Sequence, residues 1–168
     1  VQSRGQQLIR LDREEPMPSG SSELTKSLVE NLASANAVVL SDYGKGSLTD
    51  IAAMITACRD AGVPVFIDPK GSDFEKYRGA TAITPNQGEF EGVAGRCTNE
   101  EDLVSRAREM LERLDLSALL VTRSEKGMLL IEGSDEPLFL SARAREVFDV
   151  IGAGDTVIAV LAGALAAG

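Results

Sequence analysis

The stretch from Ala37 to Asp68, AVVLSDYGKGSLTDIAAMITACRDAGVPVFID, decides the fold. It opens on a short apolar run, Ala37 to Leu40, that stops at Ser41-Asp42, the pattern of a parallel strand buried on both faces. Leu48, Ile51, Ile55 and Cys58 then recur at helical spacing, with Ser47 placed as an N-cap and Asp50 three residues on. Gly62 stops that helix. Val63 to Ile67 is a second apolar run, and it too ends in an acid, Asp68. Strand, helix and strand in this order make a crossover unit with two parallel strands.

The same grammar continues on both sides. Upstream, a Pro/Gly/Ser stretch from Pro16 to Ser22 precedes a helix marked by Leu24, Leu28 and Leu32. Downstream, Ala80 to Thr84 is a third strand ending at Pro85-Asn86. A helix follows through Leu103, Ala107, Met110 and Leu114, capped by Thr98 or Asn99. Ala118 to Val121 is a strand, Gly127 to Ile131 and Pro137 to Leu140 pair as a hairpin around Gly133-Ser134, and Arg145 to Val150 is another strand. A helix starting near Gly154 closes the chain. Alternating strands and helices predict the α/β class, with a mostly parallel sheet and an antiparallel edge.

Composition narrows the function. With 17 basic against 26 acidic side chains the net charge is -9, which repels phosphate backbones and anionic lipid and argues against nucleic acid and membrane as partners. The apolar run Val157 to Ala167 is about half of the roughly 20 residues that a membrane helix needs. The sequence contains no histidine, so Ser-His-Asp, Cys-His and HExxH chemistry are excluded. Two lone cysteines, Cys58 and Cys97, indicate neither a disulfide framework nor a zinc knuckle and fit a reducing cytoplasm. Cys58 is assigned to the core, and Tyr43 and Phe74 to packing. Val1 to Asp12 alternates like a strand without an upstream partner. The chain starts without methionine and stops just after an apolar helix, which predicts a piece of a longer protein.

Open α/β sheets bind ligands beyond the carboxyl ends of their strands. The polar tails there are Asp42, Asp68, Asn86, Thr122 and Asp149. The sharpest local signal is Asp149-Val150-Ile151-Gly152-Ala153-Gly154-Asp155-Thr156, which leads into the last helix. Small residues let backbone approach a ligand, and the first amides of a helix lack internal partners. Ala153, Gly154 and Asp155 could thus cradle an anion, with the Asp155 carboxylate beside it to orient an acceptor hydroxyl and take its proton. Phosphoryl transfer asks for little more than this positioning and charge stabilisation. Neither GxxxxGK[ST] nor a complete GxGxxG is present, since Val157 stands where the third glycine would be.

This turn resembles the D-[TV]-[TS]-G-A-G-D signature of the ribokinase-like, or PfkB-type, carbohydrate kinases, with Ile151 in place of the hydroxyl residue. The resemblance implies a three-layer ribokinase-like fold, Asp155 as catalytic base and Gly152, Ala153 and Gly154 as the anion hole. Asn86-Gln87-Gly88-Glu89 is similar to the family's N-x-x-E motif, which implies nucleotide phosphate binding and, at Asn86 and Glu89, water-mediated magnesium. Thr122-Arg123-Ser124-Glu125-Lys126-Gly127 resembles its T-x-G-x-x-G nucleotide loop, implying ATP contacts from Thr122, Ser124 and Gly127, with Ser124 replacing the first glycine. SDYGKG (41–46), IDPKGSDFEKYRGAT (67–81), TPNQGEFE (84–91) and LLVTRSEKGM (119–128) look like the kinase domain of the bifunctional heptose kinase/adenylyltransferases.

That likeness implies an ATP- and magnesium-dependent kinase for the anomeric hydroxyl of D-glycero-D-manno-heptose 7-phosphate, with room for a monovalent cation and for a homodimer. It implies that residues 1–168 are a single partial kinase domain: 1–20 a lid or edge strand with linker, 21–168 the nucleotide-binding part. The sugar-binding N-terminal half, the C-terminal end and an adenylyltransferase domain would lie in the parent chain, and the piece alone would be inactive. Lys45 and Lys70, each after a strand tail, are candidates for sugar-phosphate or ATP phosphates, and Arg10 for the sugar. Two alternatives stay open: a PfkB-type kinase for a hexose phosphate or nucleoside, and a non-catalytic nucleotide-binding domain.

Overall fold

Among the described residues six strands in simple sequential order form one sheet, and its carboxyl edge is where the polar tails collect. The structure is a computed structural model that describes residues 2–3, 6–7, 21–44, 46, 48–142 and 152–167. Two short strands, β1 (Gln2–Ser3) and β2 (Gln6–Gln7), pair antiparallel with each other. The alternation of the first residues thus finds its partner inside the same stretch. After α1 (Ser21–Asn31) come β3 (Val38–Ser41), α2 (Ile51–Asp60), β4 (Val65–Asp68) and β5 (Ala82–Ile83). Then follow α3 (Gln87–Ala94), α4 (Glu100–Arg113), β6 (Ala118–Thr122), β7 (Met128–Glu132), β8 (Leu138–Leu140) and α5 (Ala153–Ala167).

The order in the main sheet is β3-β4-β5-β6-β7-β8. The pairings from β3 to β6 are parallel, while β6–β7 and β7–β8 are antiparallel, as the hairpin at Gly133-Ser134 predicts. Only β6, β7 and β8 can be joined by tight turns; the parallel strands need crossovers, here α2 and the α3–α4 pair. A one-turn 3-10 helix, Glu75–Tyr77, bridges β4 to β5 and has no signature in the hydrophobic periodicity.

Burial separates two layers of side chains. Val38, Leu40, Val65, Ile67, Leu119 and Val121 face the main core with Ile51, Ile55, Cys58, Phe90, Leu103 and Met110 from the helices. Phe66, Ala82 and Ala118 face the other way, onto Ile158 and Ala162 of α5. β4 is therefore covered on both faces, which explains its unbroken apolar run. Each large side chain so buried contributes on the order of 2 kcal/mol. Cys58 and Phe74 are core residues, as expected, and Phe74 meets Tyr77 edge-on with ring centres 5.6 Å apart.

One local expectation shifts and another narrows to one of its two candidates. The cap assigned to Ser47 falls outside the described residues; α2 begins at Ile51 after Asp50, whose side chain makes no cap bond. Between Thr98 and Asn99, Asn99 is the N-cap of α4, accepting from the Asp102 N–H at 2.8 Å, while Thr98 N–H donates to the Asp102 carboxylate. The strand expected over Arg145 to Val150 lies outside the described residues, with Asp149, Ile151, Lys45 and Arg10.

Candidate active site

Four strand ends and the start of α5 meet at one edge of the sheet. Gly152 adopts φ 78, a conformation that favours glycine, and turns the chain into α5. Thr156 N–H donates to Gly152 O at 3.0 Å and opens the helical ladder. The N–H groups of Ala153, Gly154 and Asp155 lie ahead of it, in the first turn, where helix amides project outward. The Asp155 side chain is exposed, not turned into the interior.

Tyr43 corrects an expectation. Its side chain is largely exposed where burial in packing was expected, and its hydroxyl donates to Asp155 Oδ1 at 3.2 Å, with Oδ2 at 3.5 Å. The loop that carries it is anchored from the residue before. Asp42, buried, accepts from Gly44 N–H at 2.7 Å, from Lys76 Nζ at 2.6 Å and from the Tyr77 hydroxyl at 2.7 Å. Burial works against ionising Asp42, but Lys76 and the two further donors outweigh it and hold the carboxyl below its ordinary range. The Tyr77 oxygen in turn accepts from Lys70 N–H at 2.9 Å, so one buried phenol ties the loop after β3 to the loop after β4.

Lys70 extends from that second loop to Glu89 Oε1 at 2.7 Å, and this partner raises the lysine's pKa. The other Glu89 oxygen, Oε2, accepts from Asn86 N–H at 3.1 Å, and Asn86 Oδ1 accepts from Glu89 N–H at 2.9 Å. This reciprocal capping box starts α3 immediately after the strand end. Asn86 also bridges to Thr122 in parallel register, extending the β5–β6 pairing into the site.

The Thr122–Gly127 loop has clear backbone reasons for its residues. Ser124 sits at φ 51, so the position that is glycine in the resembling motif requires left-handed backbone, and serine adopts it here. Gly127 has φ 84, and a Cβ there would overlap the Leu140 carbonyl oxygen on β8. Arg123, just before Ser124, is buried; its guanidinium reaches Glu100 at 2.8 Å and lies 5.4 Å from the Phe139 ring centre. Its Nε finds no partner among the described residues.

A cleft of about 760 Å³ opens between these parts. The start of α3 from Asn86 to Glu89 and the loop from Thr122 to Met128 line it, with Asp68 and Lys70 from the end of β4 and Gly154 from α5. Asp68 stands among like charges. Burial first, then repulsion from Glu89 and Asp155, pushes its pKa up to about 6, against the pull of Lys70. The strand tails pointed to Asp68, yet nothing local marked it as perturbed. Asp42 was likewise marked only as a strand tail, and Tyr43, Tyr77 and Arg123 were invisible as site residues, because each acts through a partner distant in sequence.

The family model for "pfkB family carbohydrate kinase" matches residues 1–168. The chain belongs to this family. Curated relatives include the "Bifunctional protein HldE" of Hahella chejuensis, 59% identical, and that of Salmonella dublin, 57% identical, each over 100% of this chain and 35% of the relative. This pfkB-family chain thus spans about a third of the length of these relatives. Among solved structures, Arabidopsis thaliana ribokinase, complexed with ribose and ATP, superposes with TM-score 0.72 at 26% identity, covering 83% of this chain and 46% of that one. A point mutant of Escherichia coli phosphofructokinase-2 superposes with TM-score 0.73 at 18% identity, over 86% and 50%. The six-stranded mixed sheet is ribokinase-like, mostly parallel with an antiparallel edge. No helix among the described residues is long and apolar enough to cross a membrane.

Proposed function

We propose that this chain carries the phosphoryl-transfer edge of an ATP-dependent kinase that phosphorylates the anomeric hydroxyl of D-glycero-D-manno-heptose 7-phosphate. The identity to proteins named HldE supports the substrate, and the cleft supports the chemistry. One observation carries the reading: an exposed carboxylate, Asp155, on a helix-start turn beside a cleft walled by the Asn86–Glu89 and Thr122–Gly127 segments.

In this reading ATP lies in the cleft with its phosphates toward Lys70 and the first turn of α5. The acceptor hydroxyl approaches Asp155, which orients it and takes its proton as the oxygen bonds to the γ-phosphorus and the bond to the bridging oxygen of ADP breaks. The N–H groups of Gly152, Ala153 and Gly154, together with the helix dipole, offset the charge on the migrating group. Thr122, Ser124 and Gly127, with Gln87 and Gly88 opposite, shape the nucleotide side.

Asn86 and Glu89 fit magnesium through water. Glu89 has one oxygen on Lys70 and the other on the Asn86 amide, and each oxygen keeps a lone pair to accept from a metal-bound water. Bound there, magnesium would neutralise phosphate charge.

Asp155→Asn in the full-length gene product is expected to lower kcat by about a hundredfold or more while calorimetry still registers ATP binding. Turnover within tenfold of wild type would remove Asp155 from the base role. A substrate panel checks the sugar: preferred turnover of a hexose phosphate or a nucleoside would reject heptose 7-phosphate.

A further inference from the structure

We infer that Tyr43 is a positioning residue for the phosphoryl-acceptor step: its hydroxyl holds the Asp155 carboxylate in the orientation from which it accepts the acceptor's proton. The inference rests on the proposed base role of Asp155. It goes beyond that role by assigning a second residue, far away in sequence and on another element, to the alignment of the base.

Two adjacent residues after β3 have opposite surroundings. Asp42 is 7% exposed and held by three donors, whereas Tyr43, the next residue, is 56% exposed. A large aromatic side chain so exposed on a loop normally gains by burial. This one instead places its hydroxyl against a carboxylate 112 positions further along the chain. The backbone around it is fixed on both sides. Asp42 N–H donates to Asp68 O at 2.9 Å, continuing the β3–β4 ladder, and Gly44 at φ 69 closes back onto the Asp42 carboxylate. The phenol is thus a short arm on an anchored base.

Asp155 needs such an arm. Its side chain stands exposed on the first turn of α5, where solvent alone leaves a carboxylate free among rotamers. Proton abstraction requires an oxygen within hydrogen-bond reach of the acceptor hydroxyl, and misplacement by about 1 Å can cost a hundredfold. Among the described residues the Tyr43 hydroxyl reaches both carboxylate oxygens, Oδ1 at 3.2 Å and Oδ2 at 3.5 Å, which biases the orientation of the group and leaves both oxygens lone pairs for the substrate. Both distances exceed the usual O–H···O separation of about 2.8 Å, so the contact has room to tighten when a hydroxyl docks beside it.

The test is steady-state kinetics of the full-length gene product as Tyr43→Phe, alongside Asp155→Asn, with heptose 7-phosphate and ATP both varied. Tyr43→Phe is expected to lower kcat roughly tenfold, leaving both KM values within about twofold and the melting temperature unchanged, because an exposed hydroxyl adds little to the fold. Tyr43→Ala should lower kcat to a similar extent if the hydroxyl is what matters. An unchanged kcat in Tyr43→Phe, with Asp155→Asn inactive, overturns the positioning role and leaves the base role standing. A raised sugar KM at constant kcat also overturns it, since the phenol would then bind substrate. Full turnover in Asp155→Asn removes the reading on which the inference stands, whatever Tyr43→Phe does.

Discussion

Asp68 is where residue-scale electrostatics and the site meet. Its carboxyl ordinarily titrates near 3.8, and in the folded chain the value is pushed up to about 6. Between those values the folded chain holds a proton that the unfolded chain has released, so stability falls as pH rises through the window and the loss is complete above it. Asp68→Asn removes the titration and keeps the shape. In metal-free, nucleotide-free protein, the melting temperature of Asp68→Asn relative to wild type is expected to be higher at pH 7.5 than at pH 4.5. A difference that does not change between the two pH values would mean that Asp68 is not held among like charges. Ser124 makes the complementary point about backbone: its φ of 51 shows that the site asks for a left-handed residue at this position and that glycine is one way of supplying it.

At the scale of elements, β8 matters because it stands against the Thr122–Gly127 loop. Gly127 ends the 3-10 turn Ser124–Lys126 and passes so close to β8 that a methyl group would overlap the Leu140 carbonyl and crowd the Ala142 amide at 2.9 Å. Gly127→Ala therefore combines an unfavourable φ with a backbone collision. It should cost more than about 2 kcal/mol in urea denaturation and weaken ATP binding measured by calorimetry. A loss under 0.5 kcal/mol, a bound set by ordinary surface changes of about that size, would show that the hairpin yields easily. The N-x-x-E segment illustrates how one set of atoms serves two ends. Asn86 and Glu89 satisfy each other's backbone at the start of α3, and the same bonds aim Glu89 at Lys70 and into the cleft. The capping signature was legible in the sequence; the partner across the cleft was not.

For the molecule as a whole, the buried phenol of Tyr77 is the joint between the two loops that carry Tyr43 and Lys70. It is fully buried, donates to Asp42 and accepts from Lys70 N–H. Tyr77→Phe would leave a buried carboxylate short of a donor and an amide without its acceptor. The expected cost is about 1–3 kcal/mol in urea denaturation at unchanged m, with a fall in kinase turnover of the full-length gene product from loosening both loops. Wild-type stability in Tyr77→Phe would mean that water replaces the hydroxyl and that the loops are held by Lys76 alone.

What the sequence determined by itself was local and periodic. Apolar runs ending in acids marked β3 and β4, the leucine and alanine spacing marked α4, and the Gly133-Ser134 turn marked the antiparallel edge, because strand and helix periods are properties of the chain alone. The glycine turn before Asp155 and the Asn86–Glu89 pair were legible for the same reason: φ preferences and caps are short-range. Tertiary structure alone decided the rest. Tyr43 reads as one more aromatic residue until the loop after β3 is set against the first turn of α5, and Asp68 acquires its raised pKa only when the fold buries it and brings Glu89 and Asp155 beside it. Contacts between residues far apart along the chain depend on how strands are ordered in the sheet, and that order is set by packing, to which no single segment holds the key.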